Sequence, residues 1–344
     1  MAHELSIRDD GTADIAYVSE TPWHGLGQNL QPGQSIEVWA KAAGLAHEVR
    51  RAVVQFDSVE QDKDGEGNDI KVTTNHLYAD REVLYRSDNA APLGVVGNKY
   101  KIVQPTQVLD FFAKLAESNH FQLETAGALS GGKRIWALAK VGEGATVLGQ
   151  DVVKPYVLLA TSYDGTLATT ARFTTVRVVC SNTLGYASEE AGEVIKVPHS
   201  AEFDANATRL DLGIAFNGFD KFLLDARKLA KREVNEAFAI EFLKKLLPDT
   251  VSVKTEKDGR RTVTPVPAEE TKTFQQILNL FKGEALGSGL PEARGSAWAL
   301  LNACTQHVDH ISGRSPDSRL SSAWFGQGNV LKSRARDLLL AVVA

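Results

Sequence analysis

The chain has 344 residues, 38 Lys and Arg against 43 Asp and Glu for a formal charge of −5, and 43% hydrophobic residues, the balance of a water-soluble protein of one large or two smaller domains. No apolar run approaches the roughly 20 residues of a membrane helix, and the start lacks the basic and then apolar pattern of a secretory signal. Two cysteines, Cys180 and Cys304, cannot build a disulfide framework or an all-cysteine zinc site, so a cytoplasmic protein is expected.

Thr21 to Gly27 combines turn formers with one large aromatic, which suits a folded-back anchor with Trp23 buried and His24 bonded to backbone. A short helix follows, with Ser35 as N-cap, Ile36, Trp39, Ala40 and Ala43 on one face, and Gly44 as the stop. Val49 to Phe56 and Asp69 to Tyr78 read as strands of a hairpin around the polar tip 61–68, a long, mobile loop. Shorter strands are expected at Glu82 to Arg86, Leu93 to Val96 and Tyr100 to Val103.

From Pro105, Val108, Leu109, Phe112 and Leu115 carry a helical period that Asn119 ends. Phe121 to Leu129, the turn Ser130 to Lys133 and Arg134 to Val141 form a hairpin. Tyr156 to Ser162 and Leu167 to Val179 form a second around Asp164-Gly165, whose residues tolerate the positive φ of a tight turn. After Cys180, Ser181 or Asn182 would cap a helix running towards Ala191. The central block therefore reads helix, hairpin, hairpin, helix.

The rest is mainly helical. Thr208 to Leu247 has a long apolar period ended by Pro248. Val251 to Val263 reads as an exposed hairpin, and helices follow at Ala268 to Phe281, Ser296 to Ile311 and Asn329 to Val343. The expected fold is α+β: a central antiparallel β-hairpin sheet packed with helices, in a β-β-β-α-like core. Its organisation is a strand-rich region 1–95, a sheet core 96–200 and a mainly helical region 201–344, with a short hairpin near 251–264.

Catalytic motifs are missing. Gly131-Gly132-Lys133-Arg134 lacks the spacing and hydroxyl of a phosphate loop, and the glycines from Gly142 to Gly149 lack a following helix. Asp62, Asp64 and Glu66 begin like a calcium loop, but its twelfth position is Thr73 rather than a bidentate Glu. Cys304, His307, Asp309 and His310 form a cluster with metal-ligand chemistry, but Cys304, His307 and His310 stand three apart on a helix, not at the i, i+4 spacing of metal-binding histidines; a helix end is the plainer reading. No nucleophile elbow occurs, and Cys180 after Val178 and Val179 reads as buried rather than reactive. No catalytic residue, metal or cofactor is assigned.

One polar signal remains. Residues 97–187 hold nine basic against six acidic side chains, a net of +3 inside an acidic protein. Lys133, Arg134 and Trp136 on one hairpin and Arg172, Phe173 and Arg177 on the next form a candidate single-stranded nucleic-acid site, with cations for phosphates and rings for bases. Alternation puts Arg172 and Arg177 on opposite faces, so both serve only across a bulge or bend. An ordinary solvated sheet face explains the same residues.

Met1 to Leu5, Thr21 to Gly27, Arg177-Val178-Val179-Cys180-Ser181-Asn182-Thr183-Leu184, Trp298 to Asn302 with Val308-Asp309-His310, and Ser322-Ala323-Trp324-Phe325-Gly326 resemble the DUF932 phage/plasmid-like family. The resemblance implies an origin on mobile elements. The element order is also similar to the core of the single-strand annealing superfamily, whose members form rings or filaments and hold single-stranded DNA without metal or nucleotide. Three readings stand: a single-stranded-DNA-binding, annealing-type homo-oligomer; a non-enzymatic protein acting on a host defence or replication complex; and an enzyme with dispersed catalytic residues.

Overall fold

A computed structural model describes residues 11–18, 27–116, 121–177, 182–185, 194–204, 206, 208, 217–255, 260–286, 288, 290, 294–313 and 316–343. In chain order the first half holds β1 (Ile15–Val18), β2 (Gln28–Leu30), α1 (Ile36–Ala42), β3 (Val49–Lys63), β4 (Asp69–Arg86), β5 (Pro92–Gly97), α2 (Pro105–Ala116) and β6 (Phe121–Leu129). The sheet continues with β7 (Arg134–Val141), β8 (Ala145–Leu148), β9 (Asp151–Ser162), β10 (Thr169–Arg177), β11 (Asn182–Gly185) and β12 (Val194–Val197). Then come α3 (Asn217–Lys231), α4 (Glu236–Leu246), the hairpin β13 (Thr250–Thr255) and β14 (Arg261–Val266), α5 (Lys272–Asn279), α6 (Ala297–Gln306), α7 (Pro316–Phe325) and α8 (Gln327–Val343). The fold is α+β, with a β-rich N-terminal half and a mainly helical C-terminal part.

The central sheet has nine strands in the order β11-β10-β9-β7-β6-β1-β2, with β12 also on β10 and β8 on β9. Helices cover both faces, which is why β7 and β9 read as nearly continuous apolar runs rather than alternating ones. Ile135, Ala137, Ala139, Val157, Leu159, Ala171 and Phe173 pack with Trp39 of α1, with Leu109, Phe111 and Phe112 of α2, and with Leu84 of β4 and Leu93 of β5, which form a separate three-stranded sheet with β3. The alternate residues, Trp136, Leu138, Tyr156, Leu158 and Ala160, pack instead on Val308, Ala323 and Trp324 from the C-terminal helices. A third core joins α3, α4, α5, α6 and α8 to Val147 of β8 and Val153 of β9.

Local chemistry accounts for several elements directly. Ser35 caps α1, accepting the Val38 N–H, and the Ser130–Gly132 turn joins β6 to β7 with Gly131 at φ 71°. Gly94 of β5 passes so close to the β9–β10 turn that a Cβ there would stand 2.5 Å from the Tyr163 carbonyl. Only a glycine fits that crossing.

Four expectations need correction. Asn182–Gly185 is a strand, not the start of a helix: it pairs with β10 from Arg177↔Asn182 to Thr174↔Gly185. The open edge of β10 gives this segment's backbone a ladder, which outweighs the capping preference of Asn182. Tyr100 to Val103 is irregular; the Val103 carbonyl accepts from the Tyr163 hydroxyl at 2.9 Å and the Lys101 carbonyl lies 3.1 Å from His199 Nδ1. These side-chain bonds, with a backbone bond from the Lys101 N–H to the His199 carbonyl, take the place of a strand ladder there. Glu82 to Arg86 belongs to the same strand as Asp69 to Tyr78, with a register shift opposite Val53 and Val54. The long helix ending at Leu247 is broken before Asn235, whose side chain caps α4 at 2.9 Å from the Phe238 nitrogen. At that break the Val234 N–H donates to the Gly295 carbonyl at 2.8 Å. Trp23, His24, Asn119 and Cys180 lie outside the described residues.

Candidate functional site

The sheet register brings three of the six expected residues to one face. Arg134 pairs with Ser162, Trp136 with Ala160, and Leu138 with Leu158, which in turn faces Arg172 across β9 and β10. Arg134, Trp136 and Arg172 therefore point to the same side, since side chains of directly paired residues share a face. That side is the one covered by α7 and α8.

Under α7 the three meet an aromatic pair. The rings of Trp136 and Trp324 stand edge to face with centroids 5.0 Å apart. The guanidinium groups of Arg134 and Arg172 both lie over the ring of Phe325, at 5.8 and 5.5 Å, within the range of cation–π attraction. Arg134 also donates to Thr166 Oγ1 at 2.9 Å. Arg172 Nη1 donates to Asn329 Oδ1 at 3.3 Å.

Beneath them lies a buried ion pair. Lys332 Nζ of α8 stands 2.8 Å from Asp309 Oδ1, with side-chain exposures of 2% and 7%. Burial lowers the pKa of Lys332, and the neighbouring Asp309 carboxylate opposes that shift. Burial likewise draws Arg172 down to about 10, again opposed by Asp309. Two buried cations thus depend on the same carboxylate. The cluster also holds more donors than acceptors: Arg172 Nε, Trp136 Nε1 and Trp324 Nε1 are buried with no acceptor among the described residues. Buried donors of this kind call for an acceptor, such as water or an anion.

The other expected residues sit elsewhere. Lys133 is exposed at the turn before β7. Phe173 is buried on the opposite face, in the core with α1 and α2. Arg177 is placed by its backbone pairing to Val153 and Asn182, and its side chain is not among the described ones. Trp136 is buried, so its indole offers an N–H to the cluster rather than an open ring to a base. Phe325, by contrast, is half-buried and has two guanidinium groups over its ring.

Sequence reasoning passed over Phe325, Asn329 and Lys332. For Lys332 a signal existed: it falls with Ala335, Arg336 and Leu339 on the buried stripe of α8. A lysine on the apolar face of a helix is a buried charge in need of a partner. Asp309, weighed only beside potential metal ligands, is that partner. Cys304 is fully buried, its thiol pushed up to about 12 by burial, and among the described residues no three His, Cys, Asp or Glu side chains converge as a metal site would require. Among those residues no helix is long and apolar enough to cross a membrane.

Residues 92–324 match the domain of unknown function DUF932, a span that takes in the cluster except Phe325, Asn329 and Lys332. The chain belongs to the DUF932 family. This family is associated with phages and plasmids, and its matched span in this member runs from the start of β5 to Trp324 in α7. No curated protein and no solved structure matches the chain.

Proposed function

We propose that this DUF932 protein binds single-stranded nucleic acid at Lys133, Arg134 and Phe325, with Arg172 behind them under α7, in annealing-type recombination without metal or nucleotide. The observation that carries the reading is the unbalanced cluster under α7. Cations outnumber the carboxylate beside them, and three buried N–H groups have no acceptor among the described residues. Phosphate oxygens are charged acceptors, and bonds to them are stronger than neutral ones. Lys133 and Arg134 at the β7 end would meet a strand first. Arg172 lies under α7, so its contact with phosphate requires that helix to lift. Phe325 would then supply the ring face, where stacking contributes roughly 1–3 kcal/mol per base with little regard for sequence.

The test is a salt titration of binding to a single-stranded oligonucleotide. Wild-type affinity is expected to fall steeply with salt, with a slope of about −0.7 for each phosphate neutralised. Lys133→Glu/Arg134→Glu, both outside the buried pair, should flatten the slope by about 1.4. Arg172→Gln should weaken binding further, and Phe325→Ala should weaken it without changing the slope. No binding by the wild type at low salt, or an unchanged slope in the folded double variant, removes this reading.

A further inference from the structure

Two hairpins carry apolar stripes that nothing among the described residues covers. Beyond the register shift at Val53/Val54, β3 and β4 pair, among the described residues, only with each other, because β5 joins β4 at Arg81 to Tyr85. The result is a two-stranded arm of residues 54–78, ten residues along β3, and about 33 Å long at the rise of an antiparallel strand. The register places Val54, Phe56, Ser58, Glu60 and Asp62 on one face with Tyr78, His76, Thr74, Val72 and Ile70. Phe56 and Tyr78 are 54% and 49% exposed. The Phe56 ring stacks on His76 at 5.1 Å, and His76 Nε2 lies 2.7 Å from Ser58 Oγ, so the middle of the face is preorganised.

The hairpin β13–β14 is also a sheet of only two strands. Val251, Val253 and Val263 share one face with Arg261 and Pro265, and the three valines are 61%, 55% and 58% exposed. Two-stranded ribbons are marginal in water without something packed on one side, and exposed apolar stripes on a folded protein mark contact surfaces.

Charge decides the occupant. The arm 54–78 has six acidic side chains against two basic, a net of −4, whereas the hairpin 250–266 has four basic against two acidic, a net of +2. Pairing arm with arm across a two-fold axis would bring −4 against −4, and pairing hairpin with hairpin is repulsive for the same reason. Arm against hairpin is attractive, and both surfaces carry exposed apolar side chains beside charged ones. We infer that the β3–β4 arm of one copy docks on the β13–β14 hairpin of a second copy of this chain. Such a contact uses two different surfaces, so it is heterologous and repeats into a ring or an open filament rather than stopping at a two-fold dimer. It uses none of the residues of the cluster under α7, so it stands whether or not nucleic acid binds there.

Sedimentation velocity on the full-length protein at low and high salt tests the inference. The wild type is expected to form species larger than a dimer at micromolar concentration and low salt, shifting towards monomer as salt screens the contact. Glu60→Lys/Asp62→Lys and Arg260→Glu/Arg261→Glu alter exposed positions, so each should keep the fold by circular dichroism yet sediment as monomer. An equimolar mixture of the two reversed variants should associate, since each then offers one reversed surface complementary to the other. A monomeric wild type overturns the inference, as does an oligomer indifferent to both reversals. So does a mixture that stays monomeric, or a wild-type monomer that takes up a basic host protein through its arm.

Discussion

At the scale of single residues the most informative group is Asp309. Its carboxylate is shared by Lys332 and by Arg172, each of which is buried. Removing one partner of a buried pair leaves a charge without compensation, and such changes typically cost about 3–5 kcal/mol. Asp309→Asn is expected to lower stability by that order in urea denaturation, and adding Lys332→Met should recover much of the loss. If Asp309→Asn unfolds at the wild-type midpoint, the pair does not secure α8 to the sheet. His307 makes a second prediction. Burial draws its imidazole down to about 4, below the roughly 6.5 of an unfolded histidine. The unfolded state therefore takes up the proton first as pH falls, and stability is lost between pH 6.5 and about 4, by at most about 3 kcal/mol from this group. His47 shifts in the same direction, by burial and then by the Arg86 charge. His307→Asn should flatten the fall in unfolding free energy across this window, and an equally steep fall would assign it to other groups.

At the scale of elements, α6 shows how a local signal and a tertiary contact act together. Ser296 caps it, its Oγ accepting the Ala299 N–H at 3.1 Å, and two residues later the buried Trp298 donates from Nε1 to Asp151 Oδ2 at 2.9 Å. The cap sets where the helix begins, and the indole fastens that end to the start of β9. Ser296→Ala is expected to cost about 1 kcal/mol. Trp298→Phe, which leaves a buried carboxylate oxygen without that donor, should cost about 1–3 kcal/mol beyond the lost packing. Both are measurable by chemical denaturation, and a cheaper Trp298→Phe would mean that the Asp151 bond is dispensable. The helix itself was readable from Ser296 onwards. The bond to Asp151 was not, because the two residues are 147 apart in sequence and no local pattern links them.

For the whole molecule, the arm separates assembly from folding. Its outer residues are exposed and lie in none of the three cores. Replacing residues 55–77 by an Asn-Gly turn between Val54 and Tyr78, which are cross-strand partners, should leave thermal stability within about 2–4 °C. The same truncation should yield a monomer at low salt. A truncated protein that melts far below the wild type would show the arm to be part of the folded body.

What the sequence determined by itself is what short-range physics controls. The Ser35 cap, the Gly-Gly and Asp-Gly turns, the helical period from Pro105 and the exposed 251–264 hairpin all lie within a few residues of the chemistry that forms them. The match of Arg134, Trp136 and Arg172 to one side of a sheet was also within reach, because strand alternation is local. Only the tertiary structure decided what covers that side. The residues that complete the cluster, Asp309, Phe325 and Lys332, arrive from helices more than 130 positions further along the chain. Their positions follow from packing an apolar face of α7 and α8 onto the sheet, a long-range choice that periodicity cannot express. The strand at Asn182–Gly185 differs from its local preference for the same reason: an open sheet edge beside it offers more hydrogen bonds than a helix cap.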